Sequence, residues 1–364
     1  MKAIEIINTI VKISATNLGI ILSRKCNIRC AHCISLSSPH ISDFPPIYNV
    51  IRILEDAAKL KKENIGPNLI SFTGGEPFLY ELPLFKYTTF ASDLGFETGI
   101  VTNCFWATSI SKAENKVKQF KHVTRFDIST DIRHSSYISL DRIKNAICAM
   151  TALNKLGYIR IVRQPNDEEY FKIFSEMISQ LKVNHHLYES NLIYLNNKGE
   201  PILECESPVI KLPLFPCTSI LPIIYPSGIV YACCGAIPNL KKNNPLILGD
   251  LKKESLRTVY RRFHTNPIIQ SLRIGGIAET IDLIPTPEKE KVLLTHHDPS
   301  NMCYTCFTSL ARLNTKVAEN LKKNTASIAK YAMLRYVIYG ESAGIDLMPR
   351  RCLNSIEQIL KKVR

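Results

Sequence analysis

The sequence contains no long hydrophobic run, no export signal, no internal repeat and no low-complexity segment. No apolar stretch approaches the ~18 residues that a helix needs to cross a bilayer, so a membrane-spanning helix is not expected. The amino-terminal segment carries an acidic residue at Glu5 and has no clear cleavage site, so a signal peptide is not expected either. These absences predict a cytoplasmic protein.

The composition is that of a folded globular protein with many thiols. Of the 364 residues, 45% are apolar and 21% are charged, and the length suffices for two domains. Twelve cysteines occur in a chain for which no export signal is expected. In a reducing compartment, cysteines in such numbers favour metal ligation over disulfide bonds.

Three of the thiols lie in one short stretch, residues 26–33, with the sequence Cys-Asn-Ile-Arg-Cys-Ala-His-Cys. The stretch follows the apolar run 18–22, which is typical of a short buried strand. An iron–sulfur cubane normally takes four cysteine thiolates, so three local thiols would leave one iron open to another ligand. Zinc is the alternative, but zinc sites usually pair two-residue Cys knuckles and need four ligands.

The pattern Cys26-x3-Cys30-x2-Cys33, with His32 before the last cysteine, resembles the radical S-adenosylmethionine (radical SAM) enzymes. The resemblance implies a [4Fe–4S] cluster with three cysteine ligands, whose open iron binds S-adenosylmethionine (AdoMet). One electron from the reduced cluster would cleave AdoMet to a 5′-deoxyadenosyl radical, which abstracts hydrogen from a substrate. The resemblance also implies a reducing partner of the flavodoxin or ferredoxin type.

A glycine-rich segment at 74–77, Gly-Gly-Glu-Pro, follows the second predicted strand and resembles the AdoMet-binding motif of the family. Paired glycines let backbone approach a ligand closely. Three later polar residues resemble family positions more weakly, since each is equally typical of a cap or a turn. The expected AdoMet contacts are therefore His32, Gly74, Gly75, Glu76, Pro77, Asn103, Ser129 and Asp131. His134 either faces the site or satisfies a loop carbonyl, and we favour the loop carbonyl.

Strands and helices alternate from residue 18 to about residue 195, which predicts a parallel α/β sheet. Six such units suggest a partial (β/α)6 barrel, in which the chemistry lies at the carboxyl ends of the strands. We expect strands at 18–23, 68–73, 97–102, 125–131, 158–163 and 187–195, and helices at 48–64, 82–94, 139–156 and 167–181. Ser111 and Glu114 suggest a capping box that opens or reinforces a further helix.

The second half of the chain has a different character. Residues 201–216 are rich in proline, which indicates a linker. Two β-prone runs then flank Pro226-Ser-Gly, a hairpin signal that would bring Cys217 and Cys233 toward the same end. A two-residue knuckle follows at Cys303 and Cys306. Four such thiols suffice for a second cubane, and a structural zinc is the alternative.

This half resembles the auxiliary-cluster extension of radical SAM enzymes, called SPASM in its full form and twitch in its shortened form. The matching features are Cys-x10-Gly-x4-Cys from residue 217 and Leu-Gly-Asp-Leu at 248–251, followed by a predicted helix at 256–263. No cysteine occurs at 307–351, so the resemblance implies a single auxiliary [4Fe–4S] cluster. Its expected ligands are Cys217, Cys233, Cys303 and Cys306, with Cys234 as an extra thiol that either replaces Cys233 or faces the substrate.

We therefore expect a lead-in at 1–17, a radical SAM core at 18–200, an auxiliary domain at 201–310 and a basic helical tail at 311–364, with helices at about 309–338 and 353–363. The formal net charge is +14, which suits an acidic partner such as a peptide or a phosphorylated substrate. The Lys-Lys pairs are scattered, and we interpret them as parts of a solvated helical face. A lead-in this short implies a separate peptide-recognition protein or none.

The favoured hypothesis is an enzyme that oxidises or cross-links a ribosomally made peptide during the maturation of a natural product such as an antibiotic. Relatives with the auxiliary extension often modify such peptides. The second hypothesis is a dehydrogenase of a small molecule such as an aminocyclitol or a sugar alcohol. A third, from another class, is a zinc-bound nucleic-acid-binding protein without catalysis, which the placement of the 74–77 motif disfavours. No residue stands out as a general base.

Overall fold

The computed structural model describes residues 16–44, 47–163, 166–181, 183, 186–191, 194–195, 201–202, 212, 215–235, 240, 244–293, 302–350 and 352. Alternating strands and helices make a mixed α/β fold, which confirms the predicted class. The strands are β1 (Asn17–Ile21), β2 (Leu69–Thr73), β3 (Glu97–Thr102), β4 (Arg125–Ser129), β5 (Leu156–Arg163), β6 (His186–Asn191), β7 (Tyr194–Leu195), β8 (Pro201–Ile202), β9 (Ile220–Ile224), β10 (Ile229–Cys233) and β11 (Ile247–Asp250).

The helices connect the parallel strands and then dominate the end of the chain. They are α1 (Ile47–Lys62), α2 (Glu81–Asp93), α3 (Ile110–Gln119), α4 (Ile132–Ser135), α5 (Leu140–Ala152), α6 (Glu168–Leu181), α7 (Leu256–Thr265), α8 (Pro267–Asp282), α9 (Thr286–Leu293), α10 (Met302–Arg312), α11 (Thr315–Lys323), α12 (Thr325–Tyr339) and α13 (Ala343–Asp346). A short 3-10 turn, Pro77–Tyr80, precedes α2. Among the described residues, no helix combines the length and hydrophobicity that a bilayer crossing requires.

The strands β1 to β6 lie side by side in chain order, and every neighbouring pair is parallel. The strand β1 is buried along its whole length, and β2 is buried except at its last residue. Parallel strands covered on both faces read as continuous apolar runs, which is why the sequence pattern located them. The loops at their carboxyl ends therefore converge at one edge of the sheet.

The hairpin β9–β10 extends this same sheet past β1. The strand β9 pairs with β1 in parallel, with Gly19 opposite Ile223, and the sheet order is β11-β10-β9-β1-β2-β3-β4-β5-β6. A Cβ atom at Gly19 would lie 2.9 Å from Cγ1 of Ile223, so a glycine allows the two strands to approach. The turn uses Gly228 at φ +88°, and its amide donates to the carbonyl of Tyr225 over 2.9 Å. The predicted hairpin is therefore present.

The predicted capping box at Ser111 and Glu114 was wrong. The N-cap of α3 is Ser109, whose hydroxyl accepts from the amide of Lys112, whereas Ser111 lies inside the helix. A serine two residues earlier has the same capping chemistry, so the pattern alone chose the wrong one. The helical region expected at about 309–338 is present and is formed by the end of α10, by α11 and by α12, and Asn314 and Asn324 each cap the helix that follows. The helices α8 and α9 were not anticipated.

Two expectations fall on residues that the structure does not describe. The predicted helix at 353–363 lies outside the described residues, and so does most of the proline-rich segment 201–216. Of that segment, Pro201–Ile202 forms β8 and pairs with Tyr194–Leu195 as a separate two-stranded sheet.

Candidate functional site: a thiol-lined cavity at the strand ends

The loop after β1 presents three thiols to a cavity of about 390 Å³. Cys26 is buried and Cys30 and Cys33 are half-buried, and all three line the cavity. Backbone hydrogen bonds fold the loop back on itself, since the amide of Cys26 donates to the carbonyl of Ser38 over 3.1 Å. The thiols are therefore presented by a backbone that further contacts hold in place.

Asp43 binds the first residues of this loop through its carboxylate. One carboxylate oxygen accepts from the hydroxyl of Ser23 at 2.9 Å and from the amide of Arg24 at 2.7 Å. The other pairs with the Arg24 guanidinium at 2.6 Å. The carboxylate thus connects the end of β1 with the far end of the loop.

Burial disfavours the thiolate form of the innermost cysteine. It raises the pKa of Cys26 to about 12, and the nearby Glu76 and the two other thiols act in the same direction. Metal ligation requires thiolate, so a positively charged group must compensate in this place. Three thiols that line one cavity, and whose thiolate forms need a nearby positive charge, fit an iron–sulfur cluster.

The glycines of the 74–77 segment pack directly against the Cys loop. The amide of Gly75 donates to the carbonyl of Ser23 at 2.8 Å, and the amide of Glu76 donates to the carbonyl of Lys25 at 3.0 Å. A Cβ atom would lie 2.3 Å from the Ser23 carbonyl oxygen if placed on Gly74, and 2.0 Å from the Lys25 carbonyl oxygen if placed on Gly75. No side chain fits there, so the two glycines dock the motif onto the thiol loop.

The carboxylate of Glu76 accepts hydrogen bonds from other residues of the fold. One oxygen accepts from the amide of Phe78 at 3.1 Å and from the hydroxyl of Thr102 at 3.0 Å, and the other accepts from the amide of Asn103 at 2.8 Å. Burial raises the pKa of Glu76 to about 7, although these donors pull in the opposite direction. Gly74 and Gly75 line the cavity, whereas neither Glu76 nor Pro77 is among its lining residues. Glu76 therefore joins the end of β2 to the end of β3.

The remaining predicted contacts gather around the same cavity. Asn103, Ser129 and Asp131 all line it, as does His32. The amide nitrogen of the Asn103 side chain lies 2.9 Å from Oδ1 of Asn27 and 3.8 Å from the sulfur of Cys26. The sheet thus brings residues from three strand ends to the thiol loop.

Asp131 connects two histidines. One carboxylate oxygen caps α4 by accepting from the amides of Arg133 and His134, and the other lies 3.1 Å from Nε2 of His32 and 2.9 Å from Nδ1 of His134. Although burial alone raises the pKa of Asp131, the two histidines lower it well below its usual range. Nδ1 of His32 is buried and has no hydrogen-bond partner among the described residues. Asp131 therefore sets the orientation of both rings.

The expectation for His134 was wrong. Its ring lines the cavity and pairs with Asp131 instead of serving a loop carbonyl. Burial lowers its pKa, but hydrogen bonds with Asp131 and Cys30 outweigh this and raise the pKa to about 10. The Asp-x2-His spacing that opens α4 was the available signal, since a capping Asp can also bind a side chain three residues later.

A second group of thiols lines the other part of the same cavity: Cys217, Cys233, Cys234, Cys303 and Cys306. Cys217 precedes β9, and its amide donates to the carbonyl of Leu272 at 2.8 Å, while Cys233 ends β10. Cys303 and Cys306 lie one turn apart at the start of α10. The predicted knuckle is thus part of a helix.

These thiols are close enough to influence one another. Burial raises the pKa of Cys306 well above its usual value, and Cys217, Cys233 and Cys303 raise it further. Cys234 donates a weak hydrogen bond to the carbonyl of Ser219, with the sulfur 3.9 Å away. The thiols are half-buried, apart from the exposed Cys303. A group of thiols that repel each other as thiolates fits a cationic metal centre, either a cubane or zinc.

The rest of the cavity wall combines apolar side chains with neutral polar ones such as Ser71, Thr73 and Ser129. Its apolar contributors include Ile21, Ile34, Val162, Ile223 and Phe307. Apart from histidines and thiols, the charged lining residues among those described are Asp131 and Arg160. The Arg160 guanidinium is held 3.0 Å from a carboxylate oxygen of Asp127.

Residues 20–176 match the family model of the Radical SAM superfamily. They form a radical SAM domain. The match begins within β1 and includes the Cys loop, the 74–77 segment and the His32–Asp131–His134 group. The predicted family is therefore confirmed for this part of the chain, and the second thiol group lies beyond it.

Two curated relatives match parts of the chain. An S-adenosylmethionine-dependent nucleotide dehydratase of Pseudoalteromonas ulvae is 24% identical over 188 residues, which cover 44% of this chain and 59% of that protein. The putative peptide biosynthesis protein YydG of Bacillus subtilis (strain 168) is 28% identical over 136 residues, which cover 36% and 40%. The chain therefore spans less than two thirds of the length of either relative.

Solved structures are similar at lower identity. Native anSMEcpe with bound AdoMet has 13% sequence identity and a TM-score of 0.49, with 88% of this chain and 98% of that chain covered. BtrN in complex with AdoMet and 2-DOIA has 14% identity and a TM-score of 0.39, with 68% and 82% covered.

Proposed function

We propose that this chain is a radical SAM enzyme that abstracts hydrogen from an apolar residue of a peptide. The proposal assigns Cys26, Cys30 and Cys33 as ligands of the AdoMet-cleaving [4Fe–4S] cluster. When bound, that cluster and AdoMet supply a 5′-deoxyadenosyl radical. Backbone groups of Gly74 and Gly75 would face the amino-acid part of AdoMet. A flavodoxin or ferredoxin would deliver the electron.

The proposal assigns an auxiliary [4Fe–4S] cluster to the second thiol group, with Cys217, Cys233, Cys303 and Cys306 as ligands. Such a cluster would accept an electron from a substrate radical or bind the substrate. Both thiol groups open onto one cavity, so a substrate held there could contact both centres. The continuous sheet supports this arrangement, because it joins the hairpin directly to β1.

The composition of the cavity wall is the reason for which we propose a peptide substrate and not a nucleotide or a polyol. A nucleotide needs cationic groups for its phosphates, and among the described lining residues Arg160 is the one lysine or arginine, already paired with Asp127. A polyol needs hydrogen-bond partners around its whole ring, since an unmet polar group is costly to bury. Neutral polar residues such as Ser71 and Ser129 line part of the wall, whereas aliphatic residues such as Ile21, Val162 and Ile223 fit an apolar side chain.

The cluster assignment is tested by measuring iron and sulfide per chain after anaerobic reconstitution. Two cubanes predict about eight irons, falling to about four in a Cys26/Cys30/Cys33→Ala variant and to about four in a Cys303/Cys306→Ala variant. The Cys148→Ala variant is the matched control, because Cys148 lies on α5 outside the cavity lining. About four irons in the unaltered protein, together with zinc, would remove the auxiliary cubane from the proposal.

The substrate class is tested by deuterium transfer into 5′-deoxyadenosine. The reconstituted enzyme is incubated with AdoMet, a reductant and peptides that carry deuterated valine, leucine or isoleucine, in parallel with ring-deuterated aminocyclitols and ribose-deuterated nucleoside triphosphates. Deuterium from a peptide supports the proposal. Deuterium from the aminocyclitol would instead establish the small-molecule dehydrogenase, and deuterium from the nucleotide would establish a nucleotide substrate.

A further inference from the structure

The segment 33–37 curls around the sulfur of Cys33. The hydroxyl of Ser35 lies 3.3 Å from that sulfur, and the backbone amide of Ser37 donates to it over 3.3 Å. The hydroxyls of Ser35 and Ser37 lie 2.9 Å apart. Ser37 is buried and Ser35 is half-buried, and both line the cavity. Two donors and a supporting hydroxyl therefore converge on one thiol.

The backbone of this turn adopts an unfavourable conformation. Leu36 has φ +54°, in the left-handed region that side chains other than glycine, asparagine and aspartate seldom occupy. Its amide donates to the carbonyl of Cys33 at 2.9 Å, which closes the turn and directs the next amide at the sulfur. Strain of this kind is retained where the surrounding structure holds it, frequently at functional sites.

The direction of each hydrogen bond follows from the state of the sulfur. A cysteine that ligates iron is a thiolate and has no proton to donate, so the Ser35 hydroxyl must donate to it. The Ser35 oxygen is then free to accept from the Ser37 hydroxyl. A chain of hydroxyls aligned in this way strengthens the terminal hydrogen bond.

We propose that Ser35 and Ser37 are positioning residues that raise the reduction potential of the AdoMet-cleaving cluster through hydrogen bonds to Cys33. The inference rests on the proposed function, because Cys33 must be a cluster ligand. Reduction adds one negative charge to the cluster, so a donor at a ligand sulfur stabilises the reduced form more than the oxidised form. Removal of the donor makes reduction harder.

The test is an anaerobic potentiometric titration of the full reconstituted chain, followed through the AdoMet-sensitive EPR signal of the reduced cluster. Ser35→Ala is expected to lower the ratio of reduced to oxidised cluster about tenfold at a fixed potential, which corresponds to about 59 mV for one electron. Ser35→Thr keeps the hydroxyl and restores the original midpoint. Ser38→Ala, a serine outside the cavity lining, leaves the midpoint unchanged.

Iron content distinguishes a failure of the role proposed for the serines from a failure of the proposed function. Full iron in Ser35→Ala with an unchanged midpoint overturns the role of the serines and leaves the proposed function standing. If Ser35→Ala loses its iron, the midpoint potential of Ser37→Ala is measured instead. This variant keeps the backbone donor, so we expect a smaller decrease of the midpoint potential. An unchanged midpoint potential in Ser37→Ala would overturn the proposal. Absence of iron from the unaltered protein would overturn both the proposed function and this inference.

Discussion

Glu76 has a carboxylate with both oxygens occupied by donors. Replacement of Glu76 by Gln puts an amide NH₂ against at least one of those donors, so a hydrogen bond is lost and two donors face each other. We expect E76Q to lower the free energy of unfolding by about 1–3 kcal/mol at pH 5.5, below the raised pKa of about 7, and by less at pH 8, where ionisation of the buried carboxylate already destabilises the unaltered protein. Urea unfolding followed by circular dichroism measures the change.

The matched control for this residue is Glu81→Gln at the start of α2. Glu81 pairs with Lys116 and its side chain is 38% exposed, so E81Q is expected to change stability by less than about 1 kcal/mol. Equal stability of E76Q and the unaltered protein at pH 5.5 would contradict the internal role assigned to Glu76.

At the residue scale, the sequence predicted which residues belong to the site better than it predicted what each side chain contacts. The three cysteines of the loop were found because their spacing is local and specific. The contact of Glu76 with AdoMet stays a prediction, and the structure adds that its carboxylate oxygens accept from groups of Phe78 and of the end of β3. His134 was expected on a loop, but α4 turns its ring toward Asp131. Both roles depend on partners distant in sequence or on side-chain direction.

The packing of the 74–77 segment against the Cys loop is a property of two elements. A methyl group at residue 75 would lie 2.0 Å from the carbonyl oxygen of Lys25, so Gly75→Ala must push the segment away from the thiols. We expect G75A to weaken AdoMet binding at least tenfold, measured by isothermal titration on reconstituted protein. We also expect a loss of about 2 kcal/mol in unfolding free energy.

Gly95→Ala is the control for the cost of a glycine substitution itself. Gly95 has φ +81°, but nothing lies within 4 Å of the position that a Cβ atom would take there, so G95A introduces backbone strain without a clash. The expected cost is about 1 kcal/mol, with AdoMet affinity unchanged. If G75A bound AdoMet as tightly as G95A does, the docking role of the glycines would be excluded.

At the element scale, the parallel strands and the hairpin were predictable because their signals are apolar runs and a short turn. The bounds of β3 match the expected range, and the other strands of the sheet differ at one or both ends. The cap of α3 was misplaced because Ser109 and Ser111 offer the same chemistry. The helix α8 begins at an Asn-Pro step, but it carries buried residues on all sides. Its sequence therefore has no amphipathic pattern from which a helix could be predicted.

A buried ionic group holds the carboxyl-terminal helices to the rest of the molecule. Arg273 on α8 and Arg335 on α12 are fully buried, and both pair with Glu341, at 2.7 Å and 2.6 Å. Arg335 also contacts Nδ1 of His264 at 2.9 Å, and Nε2 of that histidine donates to the carbonyl of Ile65 at 2.9 Å. The network therefore reaches from α12 through α7 to the loop after α1.

This network makes a specific contribution to stability as a function of pH. Burial alone raises the pKa of Glu341, but the two arginines lower it to about 2. A lowered pKa contributes stability above the unfolded value near 4.5, and that contribution is lost as the pH falls toward 2. Full loss is about 3 kcal/mol. The quantity to measure is the difference in unfolding free energy between the unaltered protein and Glu341→Gln.

We expect this difference to be about 3–5 kcal/mol at pH 7, because Glu341→Gln leaves two buried arginines without a counter-charge. The difference should shrink as the pH is lowered from 5 toward 2. Glu279→Gln is the control on the same pair of helices. Glu279 pairs with the half-exposed Lys330 and accepts from the Tyr331 hydroxyl, and the Gln oxygen can still accept from that hydroxyl, so the loss is expected to be about 1 kcal/mol. A pH-independent difference for E341Q would contradict the assignment.

The sequence by itself determined the α/β class, the thiol loop and the glycine segment, because each depends on residues within a few positions of one another. Only the tertiary structure decided that both thiol groups share one cavity, because that requires β9 to pair with β1 some two hundred residues away. The same holds for the Glu76 hydrogen bonds, the paired histidines on Asp131 and the buried arginines. Long-range pairing and side-chain direction are set by the packing of the whole chain, and no local pattern encodes them.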